Sequence, residues 1–265
     1  MRPAVLLLLA VLVPWGAARA ATPAPEVRGA SAILVDAQSG RVLYNKNSRE
    51  SRAVASTQKL LTALLIAEEG DLWKEVTIAP TDTAAAPTKL YLKAGQKYSR
   101  GDLLTALLVK SPNDVACALA RDNAGSTGAF AEKMNIRAQQ MGATASHFVN
   151  PNGLPVDGQH STARDMAIIA RNAYANPNIR RIVATKKFSF RFADGRVREL
   201  VNTNRILHSA AFCNGMKTGY TEAAGHCLVS SGQQGGRDVI AVILGSNKAN
   251  VYTDSQKLLE WGLRL

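Results

Sequence analysis

The types and spacing of Ser56 and Lys59 give the clearest indication of chemistry in this sequence. Three residues is about one helical turn, so both side chains lie on the same helix face. A serine hydroxyl is a weak nucleophile, and a neutral amine beside it can take its proton. The segment from Ser56 to Glu69 is apolar on nearly all sides, which predicts a buried helix. Burial lowers the pKa of a lysine, and the free N–H groups of the first turn suit a developing oxyanion.

Ser-x-x-Lys alone is a weak motif, because a helix-capping serine followed by a surface lysine has the same spacing. Two observations favour chemistry here. No other serine of the chain has a lysine three residues later, and this lysine projects from a helix too apolar to lie on the surface.

A second candidate motif, Ser111-Pro112-Asn113, interrupts two helical patterns. A proline turn at such a place can present a hydroxyl and an amide to a cleft. Taken alone, the triplet favours an ordinary helix-capping turn.

A third candidate motif, Lys217-Thr218-Gly219, lies on a predicted strand and offers a cation, a hydroxyl and a residue without a side chain, where a substrate backbone can approach closely. A simple strand-end turn is the alternative. The three motifs occur in the order and settings typical of penicillin-binding proteins and class A β-lactamases: helix start, interhelical turn and strand.

The sequence resembles the D-alanyl-D-alanine carboxypeptidases, which are low-molecular-weight penicillin-binding proteins. The likeness runs from about Ala30 to Gly262. It is carried by these runs: Ala55-Ser56-Thr57-Gln58-Lys59, His147-Phe148-Val149-Asn150-Pro151-Asn152-Gly153-Leu154, Ser161-Thr162-Ala163-Arg164-Asp165 and Asn214-Gly215-Met216-Lys217-Thr218-Gly219-Tyr220-Thr221.

The resemblance implies a role for each residue of the first two motifs. Ser56 would be the nucleophile and Lys59 the base of acylation. Ser111 would relay a proton to the leaving D-alanine, and Asn113 would hold the substrate amide. One departure is visible, because relatives commonly have a small residue where this chain has Pro112.

The resemblance also implies the substrate contacts of the third motif. Lys217 and Thr218 would bind the terminal carboxylate, with Gly219 leaving room for the substrate backbone. The N–H groups of Ser56 and Tyr220 would form an oxyanion hole. Arg205 either assists carboxylate binding or is an exposed surface arginine.

Several rival functions share part of this pattern. A D-alanyl-D-alanine endopeptidase cuts the same bond, and the sequence does not separate it from a carboxypeptidase. A class A β-lactamase needs a glutamate between the second and third motifs to activate water. No glutamate occurs between Glu132 and Glu199, so we expect a long-lived penicilloyl ester. A wall-binding protein that has lost catalysis is the non-enzymatic alternative, against which the intact motifs argue.

Other hydrolytic mechanisms lack their motifs. The chain has no Gly-x-Ser-x-Gly elbow, no His-Glu-x-x-His and no Cys-x-x-Cys, so neither a Ser-His-Asp triad nor a metal or other cofactor is expected. The four histidines are expected to be structural: His147, His160, His208 and His226.

The apolar patterns predict an α/β (α+β) fold in which one antiparallel sheet, drawn from about residues 30–50 and 180–246, is flanked by helices, with a helical lobe inserted at about 78–180. This is the arrangement of a penicillin-binding protein or β-lactamase-like transpeptidase. The predicted strands are Ala32–Val35, Arg41–Tyr44, Val76–Ile78, Leu90–Ala94, Lys187–Phe192, Val197–Leu200, Gly215–Gly219, His226–Ser230 and Val239–Leu244. The predicted helices, besides 56–69, are Asp102–Val109, Val115–Arg121, Ala129–Met141, Ala163–Tyr174 and one at the C-terminus.

The first twenty residues have the pattern of a signal peptide, with Arg2, an apolar stretch from Ala4 to Val13 and the small-x-small site Ala18-Arg19-Ala20. A retained N-terminal anchor is the alternative. We expect cleavage near Ala20 and a single peptidase domain over 21–265, without a C-terminal β domain or membrane anchor, located in the periplasm or secreted.

The net charge of +12 could attract polyanions. Export and the lack of a recognition motif argue against nucleic acid. We expect a monomer whose partners are D-Ala-D-Ala stem peptides of peptidoglycan and, as inhibitors, β-lactams.

Three cysteines remain to be placed. Cys117 lies in an apolar helical pattern and is expected to be buried. Cys213 and Cys227 are equally far from Tyr220, so a hairpin turning there would set them opposite each other. Export permits a disulfide, and two reduced thiols are the alternative.

Overall fold

A five-stranded antiparallel sheet, built from both ends of the chain, organises the computed structural model, which describes residues 23–265. The predicted signal peptide lies outside the described residues. The strands are β1 (Ser31–Asp36), β2 (Val42–Lys46), β3 (Glu75–Thr77), β4 (Lys97–Ser99), β5 (Lys187–Arg191), β6 (Val197–Val201), β7 (Cys213–Thr221), β8 (Gly225–Gln234) and β9 (Arg237–Ser246).

Eight α-helices occur within the described residues, together with 3-10 turns at Ala55–Gln58 and Pro80–Ala84. They are α1 (Lys59–Glu69), α2 (Arg100–Lys110), α3 (Asn113–Ala124), α4 (Thr127–Gln140), α5 (Ala163–Ala175), α6 (Pro177–Val183), α7 (Arg205–Ser209) and α8 (Asn250–Arg264). None of the helices within residues 23–265 is long and apolar enough to cross a bilayer.

The main sheet has the strand order β2-β1-β9-β8-β7 and is covered on both faces, as its residue pattern requires. In β9, Ala241 and Ile243 pack with α8, whereas Ile240 and Val242 belong to the larger core around α1 and α5. This alternation follows from the two-residue period of a strand. Helix α1 is buried nearly all round, as predicted, so the sheet and the helical lobe share one core.

The mixed fold with an antiparallel sheet and flanking helices confirms the predicted fold class. In the structure, the sheet predicted from about residues 30–50 and 180–246 does not include the strands at 187–201. Among the strands of residues 23–265, β5 and β6 pair only with each other, and β3 pairs only with β4. Helices α6 and α7 were not predicted, because each is short and presents less than two full turns of helical pattern.

The predicted strand over Leu90–Ala94 was also wrong, since this segment forms no ladder and β3 pairs with Lys97–Ser99 instead. The backbone N–H groups of Leu90, Tyr91 and Leu92 donate to the carboxylate of Asp114 at 2.9–3.3 Å. Tyr91 has a φ of 62°, which is incompatible with a strand. The buried carboxylate of Asp114 therefore accepts the hydrogen bonds that these N–H groups would otherwise donate to a neighbouring strand.

Candidate active site

Ser56 and Lys59 meet where the 3-10 turn 55–58 runs into α1. The Nζ of Lys59 donates to the Oγ of Ser56 at 2.8 Å, and this Oγ donates to the backbone carbonyl of Asn152 at 3.2 Å. The Lys59 side chain is fully buried, while Ser56 is partly open to the cleft. The spacing in the sequence therefore yields the contact that the proton transfer needs.

The second motif completes the surroundings of the Lys59 amine. Its Nζ also lies 3.0 Å from the carbonyl oxygen of Ser111, 3.2 Å from the Oγ of Ser111 and 2.6 Å from the Oδ1 of Asn113. With Ser56 this makes four oxygen acceptors around an ammonium that has only three donors. The Lys59 amine thus lies between the two hydroxyls, and at most three of the four acceptors can receive a hydrogen bond from it at one time.

The backbone conformation of the turn between α2 and α3 places Ser111 at the cleft. Ser111 ends α2 in the left-handed region with φ 69°, and Pro112 caps α3 with φ −67°. That value is the one a pyrrolidine ring imposes, so proline suits this position. The departure at Pro112 leaves both functional side chains of the motif in place.

The side-chain amide of Asn113 has partners on two sides. Its Nδ2 donates to the carbonyl of Pro87 at 2.6 Å, and its backbone N donates to the carbonyl of Thr88 at 2.8 Å. Its Oδ1 consequently faces the Lys59 amine. Pro87 and Thr88 thus set the orientation of Asn113.

The third motif lies on β7, the edge strand of the main sheet that borders the cleft. Lys217 is fully buried and donates to the carbonyl of Thr218 at 2.9 Å, while the Thr218 hydroxyl contacts the hydroxyl of Thr203 at 2.7 Å. A Cβ on Gly219 would stand 3.0 Å from the backbone nitrogen of Ser56. Only glycine therefore lets the strand approach the 3-10 turn 55–58, here called the nucleophile turn, this closely. Tyr220 is 58 % exposed on the cleft rim.

A cleft of about 800 Å³ joins all three motifs. Its walls are the nucleophile turn, the α2–α3 turn, the segment 153–155 and strand β7. This size fits a short peptide or a drug-sized ligand. The predicted site residues at the cleft surface are Ser56, Ser111, Asn113, Thr218, Gly219 and Tyr220.

Burial dominates the electrostatics of the two lysines. The pKa of Lys59 is lowered well below 10.5, first by burial and then by the positive charge of Lys217. Burial also lowers the pKa of Lys217 to about 7. A lysine with a depressed pKa has a substantial neutral population near neutral pH, and only the neutral amine can accept a proton.

The structure does not bring Cys213 and Cys227 together, so of the two alternatives it shows reduced thiols and not the disulfide. The hairpin turns at 222–224 and not at Tyr220, and Cys213 pairs with Gly232 while Cys227 pairs with Gly219. The two cysteines are thus five to six strand residues apart, about 17–20 Å, far beyond disulfide reach. Both thiols are free and buried, as is that of Cys117.

Arg205 and the histidines lie outside the amine cluster. The Arg205 guanidinium stacks over the ring of Tyr252, which lines the cleft, at 5.2 Å. His147 and His160 face each other across an isolated bridge, and the His226 ring packs on Tyr220 at 4.4 Å. Within residues 23–265 no three His, Cys, Asp or Glu side chains group so as to hold a metal ion.

Several groups at the site carried no sequence signal. The carbonyls of Asn152 and Pro87 act through the backbone, which any residue could supply. Asp114 accepts from three distant N–H groups and from Val115, and it is fully buried and forms no ion pair within residues 23–265. Only its position directly after the second motif hinted at a role.

A family model and individual relatives match this chain. The model described as D-alanyl-D-alanine carboxypeptidase matches residues 18–248. The carboxypeptidase DacF of Bacillus subtilis is 35% identical over 222 residues, covering 82% of this chain and 57% of the relative. DacB2 of Mycobacterium tuberculosis is 36% identical over 249 residues, covering 92% and 85%. The chain thus spans a little over half the length of DacF and most of DacB2.

Solved structures agree with these relatives. A crystal structure of a D-alanyl-D-alanine carboxypeptidase from M. tuberculosis superimposes with a TM-score of 0.87 at 33% identity, over 93% of this chain and 95% of that one. The carboxypeptidase DacD from Francisella tularensis gives a TM-score of 0.84 at 30% identity, over 90% and 71%.

Asp114→Asn tests whether this carboxylate holds the cleft wall. The amide keeps one acceptor oxygen and turns an NH₂ group toward backbone donors, so we expect the free energy of unfolding to fall by about 2–3 kcal/mol. Amide hydrogen exchange should accelerate at Leu90, Tyr91 and Leu92. Denaturant titration and exchange mass spectrometry measure the two effects.

The matched control is Asp102→Asn, because Asp102 lies in the first turn of α2 and is exposed. We expect it to cost less than about 0.5 kcal/mol. Unchanged exchange at residues 90–92 in Asp114→Asn would contradict the assigned role.

Proposed function

Because the chain belongs to the D-alanyl-D-alanine carboxypeptidase family, we propose that it is a serine-type enzyme that releases the terminal D-alanine from peptidoglycan stem peptides. The observation that carries the proposal is the 2.8 Å contact between a buried Lys59 amine and the Ser56 hydroxyl. A nucleophile and its base at this distance, inside a cleft of peptide size, suit acyl transfer.

The substrate would lie along the free edge of β7 as an added antiparallel strand. Its terminal carboxylate would reach Lys217 and the Thr218 hydroxyl. Its scissile carbonyl would then stand next to Ser56, with the N–H groups of Ser56 and Tyr220 receiving the oxyanion.

Acylation begins when the Ser56 Oγ attacks this carbonyl and its proton passes to the neutral Lys59 amine. The Ser111 hydroxyl donates its proton to the nitrogen of the leaving D-alanine and takes a replacement from the protonated Lys59 amine, which lies 3.2 Å away and becomes neutral again. The C–N bond breaks and an ester on Ser56 remains. Water then attacks the ester, releases the shortened peptide and restores the Ser56 hydroxyl.

Lys59 and Lys217 need opposite charge states in this scheme. Lys59 must be neutral to accept a proton, and Lys217 must be charged to hold a carboxylate. The charge on Lys217 favours the neutral form of Lys59, and a bound carboxylate in turn favours the charged form of Lys217. Substrate binding therefore stabilises the pair of states that acylation requires.

The place of action is proposed from the sequence pattern of residues 1–20. Such a segment directs export, so the enzyme would meet peptidoglycan in the periplasm or outside the cell. β-Lactams would acylate Ser56 in the same way as the peptide.

Release of D-alanine from diacetyl-L-Lys-D-Ala-D-Ala tests the activity. We expect the wild type to release it and Ser56→Ala to lose at least about 1,000-fold in kcat, because the nucleophile is gone. Ser126→Ala, which removes only the cap of α4, should keep the activity.

Mass spectrometry of digested muropeptides reads the same reaction on natural substrates. Free D-alanine is the expected product. Separation of cross-linked dimers without free D-alanine would replace the proposal with an endopeptidase.

Benzylpenicillin should form a long-lived ester on Ser56. The backbone that faces Ser56 from 152–153 offers a carbonyl and a glycine, and no glutamate lies between Glu132 and Glu199 to activate water. Intact mass spectrometry should show one adduct per chain that persists after free penicillin is removed, and none in Ser56→Ala. Rapid release of penicilloic acid by the wild type would contradict this expectation.

A further inference from the structure

The charges around the cleft are unevenly distributed. Of the residues that line it, only Lys110 and Glu222 carry a full charge, apart from the titratable His226. Glu222 lies in the turn between β7 and β8 and is exposed. Its carboxylate makes no hydrogen bond or ion pair with any residue in 23–265. In a chain with a net charge of +12, an unpaired carboxylate on the rim of the cleft calls for a partner from outside the protein.

The position of Glu222 along β7 indicates which part of a peptide it meets. The carboxylate of the substrate belongs at 217–218 and the scissile carbonyl at Tyr220, so the peptide runs antiparallel to the strand. Successive residues in such a pair advance by about 3.3 Å. The residue before D-Ala-D-Ala therefore reaches the level of Thr221 and Glu222.

We propose that Glu222 binds a positively charged side-chain amine on the residue that precedes D-Ala-D-Ala, so that the enzyme selects stem peptides with a free diamino acid. This inference rests on the proposed function and names the substrate class of the same site. Lys110, on the α2 side of the cleft, stands next to Ser111 and so belongs to the wall of the hydroxyl relay.

The preference has a chemical consequence for the cell wall. A cross-link made through that side-chain amine turns it into a neutral amide. Glu222 then loses its ionic partner, and the enzyme discriminates against peptides already cross-linked through this residue. Uncross-linked stem peptides that still end in D-Ala-D-Ala are accordingly its preferred substrates.

Two peptides that differ by one charge test the inference: Nα-acetyl-L-Lys-D-Ala-D-Ala and its Nα,Nε-diacetyl form. The measurement is the ratio of their kcat/KM values, read from D-alanine release. An exposed ion pair at low salt should favour the free amine by about two- to five-fold in the wild type. The ratio should fall to about one in Glu222→Gln and below one in Glu222→Lys. It should also fall when the salt concentration rises to about 0.5 M.

Glu132→Gln is the matched control, because it makes the same change in net charge on an exposed residue of α4, which does not line the cleft. Its ratio should equal that of the wild type. An unchanged ratio in Glu222→Gln overturns the amine site, as does a wild-type preference for the diacetyl peptide, which would mean that Lys110 dominates. Failure of the wild type to release D-alanine from either peptide is a different result, which removes the proposed function and the amine site with it.

Discussion

The whole site depends on an amine buried where water cannot solvate its charge. Lys59 is completely enclosed, yet its Nζ touches the oxygens of Ser56, Ser111 and Asn113. Burial lowers its pKa well below 10.5, and Lys217 lowers it further, whereas the buried carboxylate of Asp114 acts in the opposite direction. The balance favours the neutral form of an amine that stays within hydrogen-bonding distance of the two hydroxyls.

Three separate elements must converge to create that environment, and each departs from regular backbone where it does so. Ala55, Ser111 and Met216 have φ values of 47°, 69° and 90°, although none is a glycine. One precedes Ser56, one is Ser111 itself and one precedes Lys217. Conformations of this kind cost of order 1–3 kcal/mol each and persist only where the surroundings impose them. Here the shared core around α1 supplies that constraint.

The sequence allowed much of this to be predicted, because spacing and apolar period are local properties. The contact between Ser56 and Lys59 follows from one helical turn, and the two buried faces of β9 follow from alternation. The features that could not be predicted depend on contacts with other parts of the chain. Leu90–Ala94 has the composition of a strand, but Asp114 takes its donors. Cys213 and Cys227 are symmetric about Tyr220, but the β7–β8 hairpin is centred on residue 223, three residues later. The contact of a backbone carbonyl such as that of Asn152 cannot be predicted from the sequence, because every residue type has the same carbonyl group.

Direct titration of the Lys59 amine is the most decisive measurement. The enzyme labelled with ¹³C at the lysine Cε position, with the Lys59 resonance assigned from Lys59→Met, reports the protonation of this one group by NMR. We expect a midpoint well below the ordinary lysine value, and a higher midpoint in Lys217→Gln because the neighbouring charge is gone. A Lys59 resonance that titrates at about 10.4, like an exposed lysine, would contradict the role of burial at this amine.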